Sequence, residues 1–356
     1  MADVRLQSVS KRYGDTVVLE PLNLTIEDGE FLTLLGPSGC GKTTTLRLIA
    51  GFIAPSDGRV LIGAQDVTGL APQKREIGMV FQDYALFPHL TIGENIAFGL
   101  VERRVKRRDI DARVRELLEL IRLPGVENRF PSEISGGQQQ RIAVARAVAH
   151  PPKVLLMDEP LGALDLKLRE VMQIELRRIQ QALRITTVYV THDQTEAMTM
   201  SDRIVVMNKG RIEQQGAARE IYRRPSTQFV ADFLGRINFL RGISAGNGGA
   251  DLVVTAGKET FRVRTDLAVA PHEAVCIGIR PEDLRATPRT VADPAWNIRA
   301  GTLKAKVFVG NQWNFLIAFD DASEWIAEVR DGADDIEPGM PVAVSWPLSS
   351  GVVLQQ

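Results

Sequence analysis

Hydrophobic residues fall in two periods along this chain, and the places where the period changes divide it into regions. Phe31-Leu32-Thr33-Leu34-Leu35 is a continuous apolar run of strand length, Val154-Leu155-Leu156-Met157 is a second that ends in Asp158, and Thr186 to Thr191 is a third. Runs that are apolar at successive positions are what strands covered on both faces require. Helical spacing lies between them, over Thr44 to Ala50 with Gly51 as a stop, and over the Leu-, Arg-, Glu- and Gln-rich segment Asp165 to Leu183. Strands alternating with helices over the first 80 or so residues, and again from about 152 to 235, predict an α/β domain. From about 84 to 150 the pattern is helical alone. Ile110, Val114, Leu117, Leu118 and Ile121 make one apolar stripe, as expected of an inserted helical subdomain packed on its neighbours. Arg203 to Met207, Asn208-Lys209-Gly210 and Arg211-Ile212-Glu213 read as a hairpin. After residue 236 comes a loop-like Gly246-Asn247-Gly248-Gly249, then short β-rich pieces at Val275–Ile279, Leu303–Val309, Asn314–Phe319 and Pro341–Trp346. These predict a small all-β barrel or sandwich over 237–356, after an α/β domain over 1–236. No internal repeat at solenoid periods is present.

The chemistry concentrates where the first apolar run ends. Gly36-Pro37-Ser38-Gly39-Cys40-Gly41-Lys42-Thr43 fits G-x-x-x-x-G-K-[ST], and Thr44 opens the helix that follows. Strand, glycine loop and helix aim successive backbone N–H groups and a helix N-terminus at one point, which suits a triphosphate. Lys42 adds a point charge for the β- and γ-phosphates, and the Thr43 hydroxyl can ligate Mg²⁺. Asp158 closes the second apolar run, where an acid can hold Mg²⁺ opposite the phosphate loop; Glu159, one residue on, is placed to take a proton from an attacking water. Ser135-Gly136-Gly137-Gln138, with the helix after it, makes another anion-seeking N-terminus. Alone it is an ordinary serine cap; with the phosphate loop in the same chain it becomes a second phosphate site.

Composition narrows the setting. The 356 residues suffice for two or three domains, and 44% hydrophobic with 24% charged residues is ordinary for a globular chain. A formal net charge of −1 gives no reason to expect a nucleic-acid partner. Two cysteines, Cys40 and Cys276, form no disulfide framework, and a reducing compartment is expected. Cys40 reads as a small residue in a tight turn. Met1 to Leu6 has no secretory pattern, and no stretch approaches the ~18–20 apolar residues of a membrane span, so work at a membrane needs another chain to cross it.

With these strings in place the chain resembles, over essentially its whole length, the ATP-binding subunits of ATP-binding-cassette import transporters. The resemblance implies a P-loop NTPase domain with an inserted helical subdomain and a C-terminal β-rich, OB-like regulatory domain; Gly278-Ile279-Arg280-Pro281-Glu282-Asp283-Leu284 is similar to that domain. It implies ATP and Mg²⁺ as ligands and a homodimer in which Ser135, Gly136, Gly137 and Gln138 bind the ATP held by the opposite subunit's phosphate loop. Tyr13 matches the aromatic that stacks on adenine, and Gln82 the glutamine that contacts Mg²⁺ and water. His192 matches the histidine at the γ-phosphate, and Asp165 the interface loop that couples the two sites. The segment from Gln82 to His89 resembles the surface that receives a membrane subunit. Ile134 replaces the usual leucine, a conservative change; Gly162 stands where many relatives have serine, which implies a more flexible interface loop.

Catalysis would be attributed to Glu159, His192, Gln82 and Lys42, with Thr43, Gln82 and Asp158 at Mg²⁺. The implied setting is the cytoplasmic face of the inner membrane, with two permease subunits and a periplasmic or surface solute-binding protein. Glu159 to Glu170 and Asp202 to Leu240 resemble the spermidine/putrescine subgroup; ferric-iron, aminoethylphosphonate and sugar importers are alternatives. A cassette ATPase of translation or repair would carry two cassettes or a coiled-coil insertion, and an exporter half would carry fused spans. A simple P-loop kinase would leave Ser135–Gln138, Gln82 and His192 without a task.

Overall fold

The computed structural model describes residues 2–288, 293–330 and 335–354. It divides into two compact units, Met1–Ala218 and Arg219–Gln356.

The first unit is built on a six-stranded sheet ordered Arg211–Gly216, Arg203–Asn208, Phe31–Leu35, Thr186–Thr191, Val154–Asp158, Ile77–Val80. All neighbours pair in parallel except the edge hairpin of Arg203–Asn208 with Arg211–Gly216. Alternate residues of one strand feed two different cores. Leu32, Leu34, Val154 and Leu156 pack on one face, whereas Phe31, Leu155 and Met157 pack on the other. That two-sided burial is why these strands are uninterrupted apolar runs.

The expected alternation of strand and helix does not hold for the first 80 residues. Their described residues contain one α-helix, Lys42–Ala50, and a four-stranded sheet ordered Thr16–Ile26, Val4–Tyr13, Asp57–Ile62, Gln65–Asp66. Its strands pair antiparallel and carry interrupted burial, with Val4 and Leu6 inside and Arg5 between them half-exposed. An antiparallel sheet needs cover on one face only, so hairpin connections replace crossover helices.

The helical region contains Ile92–Glu102, Arg107–Leu120 and Gly136–Ala147. Ile110, Val114, Leu117, Leu118 and Ile121 are all buried in the same core as the Phe31 face of the sheet, so the stripe is packing surface. Thr91 caps the first of these helices, accepting from Glu94 N–H while the Glu94 carboxylate accepts from Thr91 N–H.

The described residues of the second unit hold the helix Ala218–Arg223 from its second residue on, the helix Gln228–Phe233 and two five-stranded sheets. Its division from the first unit precedes the compositional break at 236/237 for a specific reason. Arg280 donates to the carbonyls of Ala231, Gly235, Arg236 and Tyr222, which ties both short helices to the β region. Gly246-Asn247-Gly248 is not the loop its composition predicts. The strand Asn238–Gly248 runs through it and pairs with Asp251–Ala256, leaving only Gly249 and Ala250 at the turn. Phe261 of one sheet meets Trp346 of the other, ring centroids 5.4 Å apart, in a core that also buries Trp325 and Phe315.

Candidate functional site

Four segments leave the C-terminal edge of the parallel sheet side by side because the strand registers align their ends. Leu35 pairs with Thr191, Val190 with Asp158, and Met157 with Val80. The segments that follow therefore start together: the phosphate loop, His192, Glu159 and Gln82. The outer edge of a parallel sheet, where strand carboxyl ends meet helix N-termini, is where such folds bind ligands.

The phosphate loop is shaped by its glycines. Gly39 and Gly41 have φ of 79° and 105°, a region that disfavours side chains. A Cβ on Gly36 would lie 2.3 Å from the Met207 carbonyl oxygen and 2.6 Å from Cys40 Sγ, so Gly36 is required by close approach rather than by φ. Lys42 begins the helix and is buried; its Nζ donates to the carbonyls of Gly36 at 2.7 Å and Pro37 at 3.0 Å. The ammonium thus lies beneath the loop, while Ser38 and Gly39 stay exposed at its crest. Cys40 is buried under the same loop, and burial pushes its thiol up. Thr44, half-buried, follows on the helix.

Thr43 Oγ1 donates to Asp158 Oδ1 at 3.1 Å, which joins the phosphate loop to the second strand. Burial raises the pKa of Asp158, with Thr43 and the charges of Arg47 and Lys42 only partly opposing it. A desolvated carboxylate beside a hydroxyl is an oxygen donor set of the type a hard cation takes. Among the described residues there is no cluster of three or more His, Cys, Asp or Glu.

Glu159 is bonded at both ends. Its N–H donates to the Val190 carbonyl, and its carboxylate Oε2 lies 3.1 Å from His192 Nδ1. Its φ is 44°, the left-handed region, which costs a non-glycine residue on the order of 1–3 kcal/mol. That backbone turn re-aims the carboxylate immediately after the strand ends. His192 is itself largely exposed, so its second ring nitrogen is free to face a ligand.

Gln82 is exposed, and its amide nitrogen comes within 3.9 Å of where a Cβ on Gly162 would stand. Tyr84 and Ala85, just after it, have φ of 60° and 47°. Arg146 holds this unusual turn, donating to the carbonyls of Tyr84 at 2.8 Å and Ala85 at 2.6 Å. Arg146 belongs to no motif; its place on the last turn of the helix that Ser135 begins is its only signal in the sequence.

That helix starts differently from the one at Lys42. Ser135 and Gly136 are exposed, and Gln138 accepts a hydrogen bond from Ser135 N–H at 3.0 Å. A Cβ on Gly137 would lie 2.9 Å from Leu168, so this helix packs closely on the helix Leu166–Leu183. Asp165 caps the latter, accepting from Leu168 N–H at 3.0 Å. Tyr13, at the end of its strand, is 53% exposed with Lys11 Nζ over its ring at 4.8 Å. The structure thus gathers Lys42, Thr43, Asp158, Glu159 and His192 through direct contacts or shared strand ends. Tyr13 and Ser135 stand outside that contact set.

A glycine loop over a buried lysine, an acid pair ending the neighbouring strand and a histidine bonded to the second acid together define an ATP-hydrolysing nucleotide-binding subunit of the cassette type. The chain belongs to the ABC transporter family, whose profile matches residues 19–162, and a TOBE domain profile matches 277–354. It is 46% identical to the spermidine/putrescine import ATP-binding protein PotA of Rubrobacter xylanophilus, over 99% of this chain and 93% of that one. It is 47% identical to the protein of the same name from Acidothermus cellulolyticus, over 94% and 89%, and 44% identical to that of Nitratidesulfovibrio vulgaris, over 99% and 97%. The structure of cbiO1 from Clostridium perfringens, part of the ABC transporter complex cbiONQ, superposes with a TM-score of 0.58 at 30% identity. That match covers 62% of this chain and 90% of cbiO1.

Proposed function

We propose that this chain is the ATP-hydrolysing subunit of a polyamine importer for spermidine or putrescine. It works as a homodimer at the cytoplasmic face of the inner membrane, beneath two permease subunits fed by a solute-binding protein. The observation that carries the solute assignment is the near full-length similarity, 44% to 47%, to relatives bearing that name. None of the chain's helices is long and apolar enough to cross a membrane among the described residues, so partner chains would supply the crossing.

In the proposed reaction, ATP lies with its phosphates against the N–H groups of Gly36 to Thr44 and its adenine on Tyr13. Lys42, buried and held by two loop carbonyls, turns its charge to the β- and γ-phosphates. Thr43, Asp158 and Gln82 would hold Mg²⁺, which supplies positive charge to the phosphate oxygens. Glu159 orients a water and takes its proton as the water oxygen bonds to the γ-phosphorus and the bond to the bridging oxygen of ADP breaks. The hydrogen bond from His192 Nδ1 to Glu159 leaves Nε2 toward the γ-phosphate.

Ser135, Gly136, Gly137 and Gln138 would contact the triphosphate on the second copy, with Asp165 in the loop between the two sites. The exposure of Ser135 and Gly136 supports this reading. A cavity of about 380 Å³ beside Gln82, lined by Met79, Phe81, Phe87, Phe98, Arg146 and His150, supports docking of a permease segment there.

The test is reconstitution of the chain with its permeases and solute-binding protein in vesicles. Spermidine or putrescine should stimulate ATP hydrolysis. Stimulation by ferric ion, aminoethylphosphonate or a sugar instead would reassign the solute while leaving the ATPase intact.

A further inference from the structure

Arg169 lies outside the nucleotide-contacting set, yet every polar bond it makes leads toward that set. It sits one turn into the helix capped by Asp165, and its own N–H donates to the Asp165 carbonyl. Its guanidinium donates through Nη2 to the Leu164 carbonyl at 3.1 Å and through Nη1 to Asp193 Oδ2 at 3.0 Å. The Nε end lies 3.8 Å from Glu196, and the guanidinium is about three-quarters buried. One planar fork therefore bridges the loop before Asp165 and the residue immediately after His192.

The far end of the bridge is held from several sides. The other carboxylate oxygen of Asp193 accepts from Thr195 N–H at 2.8 Å and Glu196 N–H at 3.1 Å, which caps the helix Gln194–Met200. Thr191, on the other side of His192, accepts from Asp193 N–H, and its hydroxyl donates to the buried Glu196 carboxylate. Tyr189 donates to the same carboxylate at 2.7 Å. The His192 side chain, by contrast, is largely exposed and bonds to Glu159 outside that network. The circuit then closes. His192 reaches Glu159 at 3.1 Å, and the Glu159 carbonyl accepts from Gly162 N–H at 3.2 Å, in the loop where Arg169 began.

We propose that Arg169 is a positioning residue for hydrolysis. It transmits the place of the loop Leu161–Asp165 to His192 through Asp193, so that the histidine is correctly set against Glu159 only when that loop is in place. A second input reaches the same turn, because Gly137 packs against Leu168, beside Arg169. Displacement at the Ser135 helix and displacement at the Asp165 loop are then read by one guanidinium. This proposal rests on the assignment of Glu159 and His192 to the reaction.

The test uses the full chain, with ATP hydrolysis measured for Arg169→Gln, Asp193→Asn and His192→Ala and for both double variants with His192→Ala. Asp193→Asn separates positioning from folding. If its amide oxygen keeps the helix cap, its NH₂ faces the Arg169 fork, and two donors cannot bond. Arg169→Gln and Asp193→Asn are expected to lower kcat by between about tenfold and a hundredfold, the cost of an ångström-scale misplacement, with KM for ATP within about twofold. In the His192→Ala background neither should lower it further. Full kcat in both single variants beside an impaired His192→Ala overturns the strut alone. So does a loss of the same size whether or not His192 is present. A full rate in His192→Ala overturns the assignment of His192, and the strut with it.

Discussion

Two helices in this chain begin at glycine-containing segments that we assign to phosphate, and they are built in opposite ways. The helix at Lys42 begins inside a glycine loop whose lysine is buried and already bonded to the Gly36 and Pro37 carbonyls. The helix at Ser135 begins with an exposed serine and an exposed glycine; the Ser135 N–H donates to Gln138, and the Ser135 carbonyl accepts from Gln139 N–H. The first has its lysine oriented before any ligand arrives; the second leaves its serine and first glycine open to solvent. A site of the first kind can bind alone, whereas the second becomes a site when an anion is brought to it. On the proposed function this difference is that of a switch, in which the complete half binds the nucleotide and the incomplete half responds to it.

Four substitutions break or sharpen this contrast. Glu159→Gln removes the proposed base and keeps the shape, so turnover should fall by about 10²–10⁴-fold while ATP is still bound. Single-turnover measurement with size-exclusion chromatography checks it, and an ATP-bound dimer is the expected species. Ser135→Arg alters only the exposed helix start. ATP affinity of the isolated chain should be unchanged within about twofold, while steady-state hydrolysis falls by about tenfold or more through loss of one anion contact and added bulk. Equal losses in affinity and turnover would show that Ser135 serves its own chain's nucleotide.

Gly36→Ala strikes the complete half instead. Its Cβ would stand 2.3 Å from a backbone oxygen, which must move, so a loss of roughly 1–3 kcal/mol in stability is expected, together with weaker ATP binding. Chemical denaturation and nucleotide titration measure the two. Asp158→Asn has the smallest effect on the empty fold, and its sign is favourable. Burial raises the carboxyl pKa in the folded chain, so its ionised form is less stable there than in the unfolded chain. As pH rises through the ordinary carboxyl value the unfolded chain releases its proton first, and wild-type stability falls until the folded value is passed. Asp158→Asn should therefore melt at or above the wild-type temperature at neutral pH and lose that advantage in acid. Hydrolysis should be lost at both.

The sheet strands were legible because two-sided burial writes them as continuous apolar runs, and the stripe from Ile110 to Ile121 because a helix writes its buried face at fixed spacing. The hairpins of the first 80 residues were harder, since strands such as Val4–Tyr13 bury only part of their residues and shift register at bulges. In the β region, four of the ten strands among the described residues coincide with the short β-rich pieces of the sequence. Strands such as Asn238–Gly248 were hidden by their glycines, which pair with a partner strand all the same.

Of the site, the sequence by itself determined the glycine loop, because its shape resides in the backbone of consecutive residues and in glycines whose φ or close approach disfavours a side chain. It also marked Asp158 and Glu159 as acids ending a buried strand, and the serine and glycines at 135 to 137. Only the tertiary structure decided that His192 meets Glu159 at 3.1 Å, that Glu159 adopts a left-handed turn to do so, and that Arg169 joins Leu164 to Asp193. The physical reason is range. Backbone N–H groups of one loop are fixed by neighbours in the chain, whereas side chains on separate strands meet only through the register of the sheet, and that register is set by packing on both of its faces.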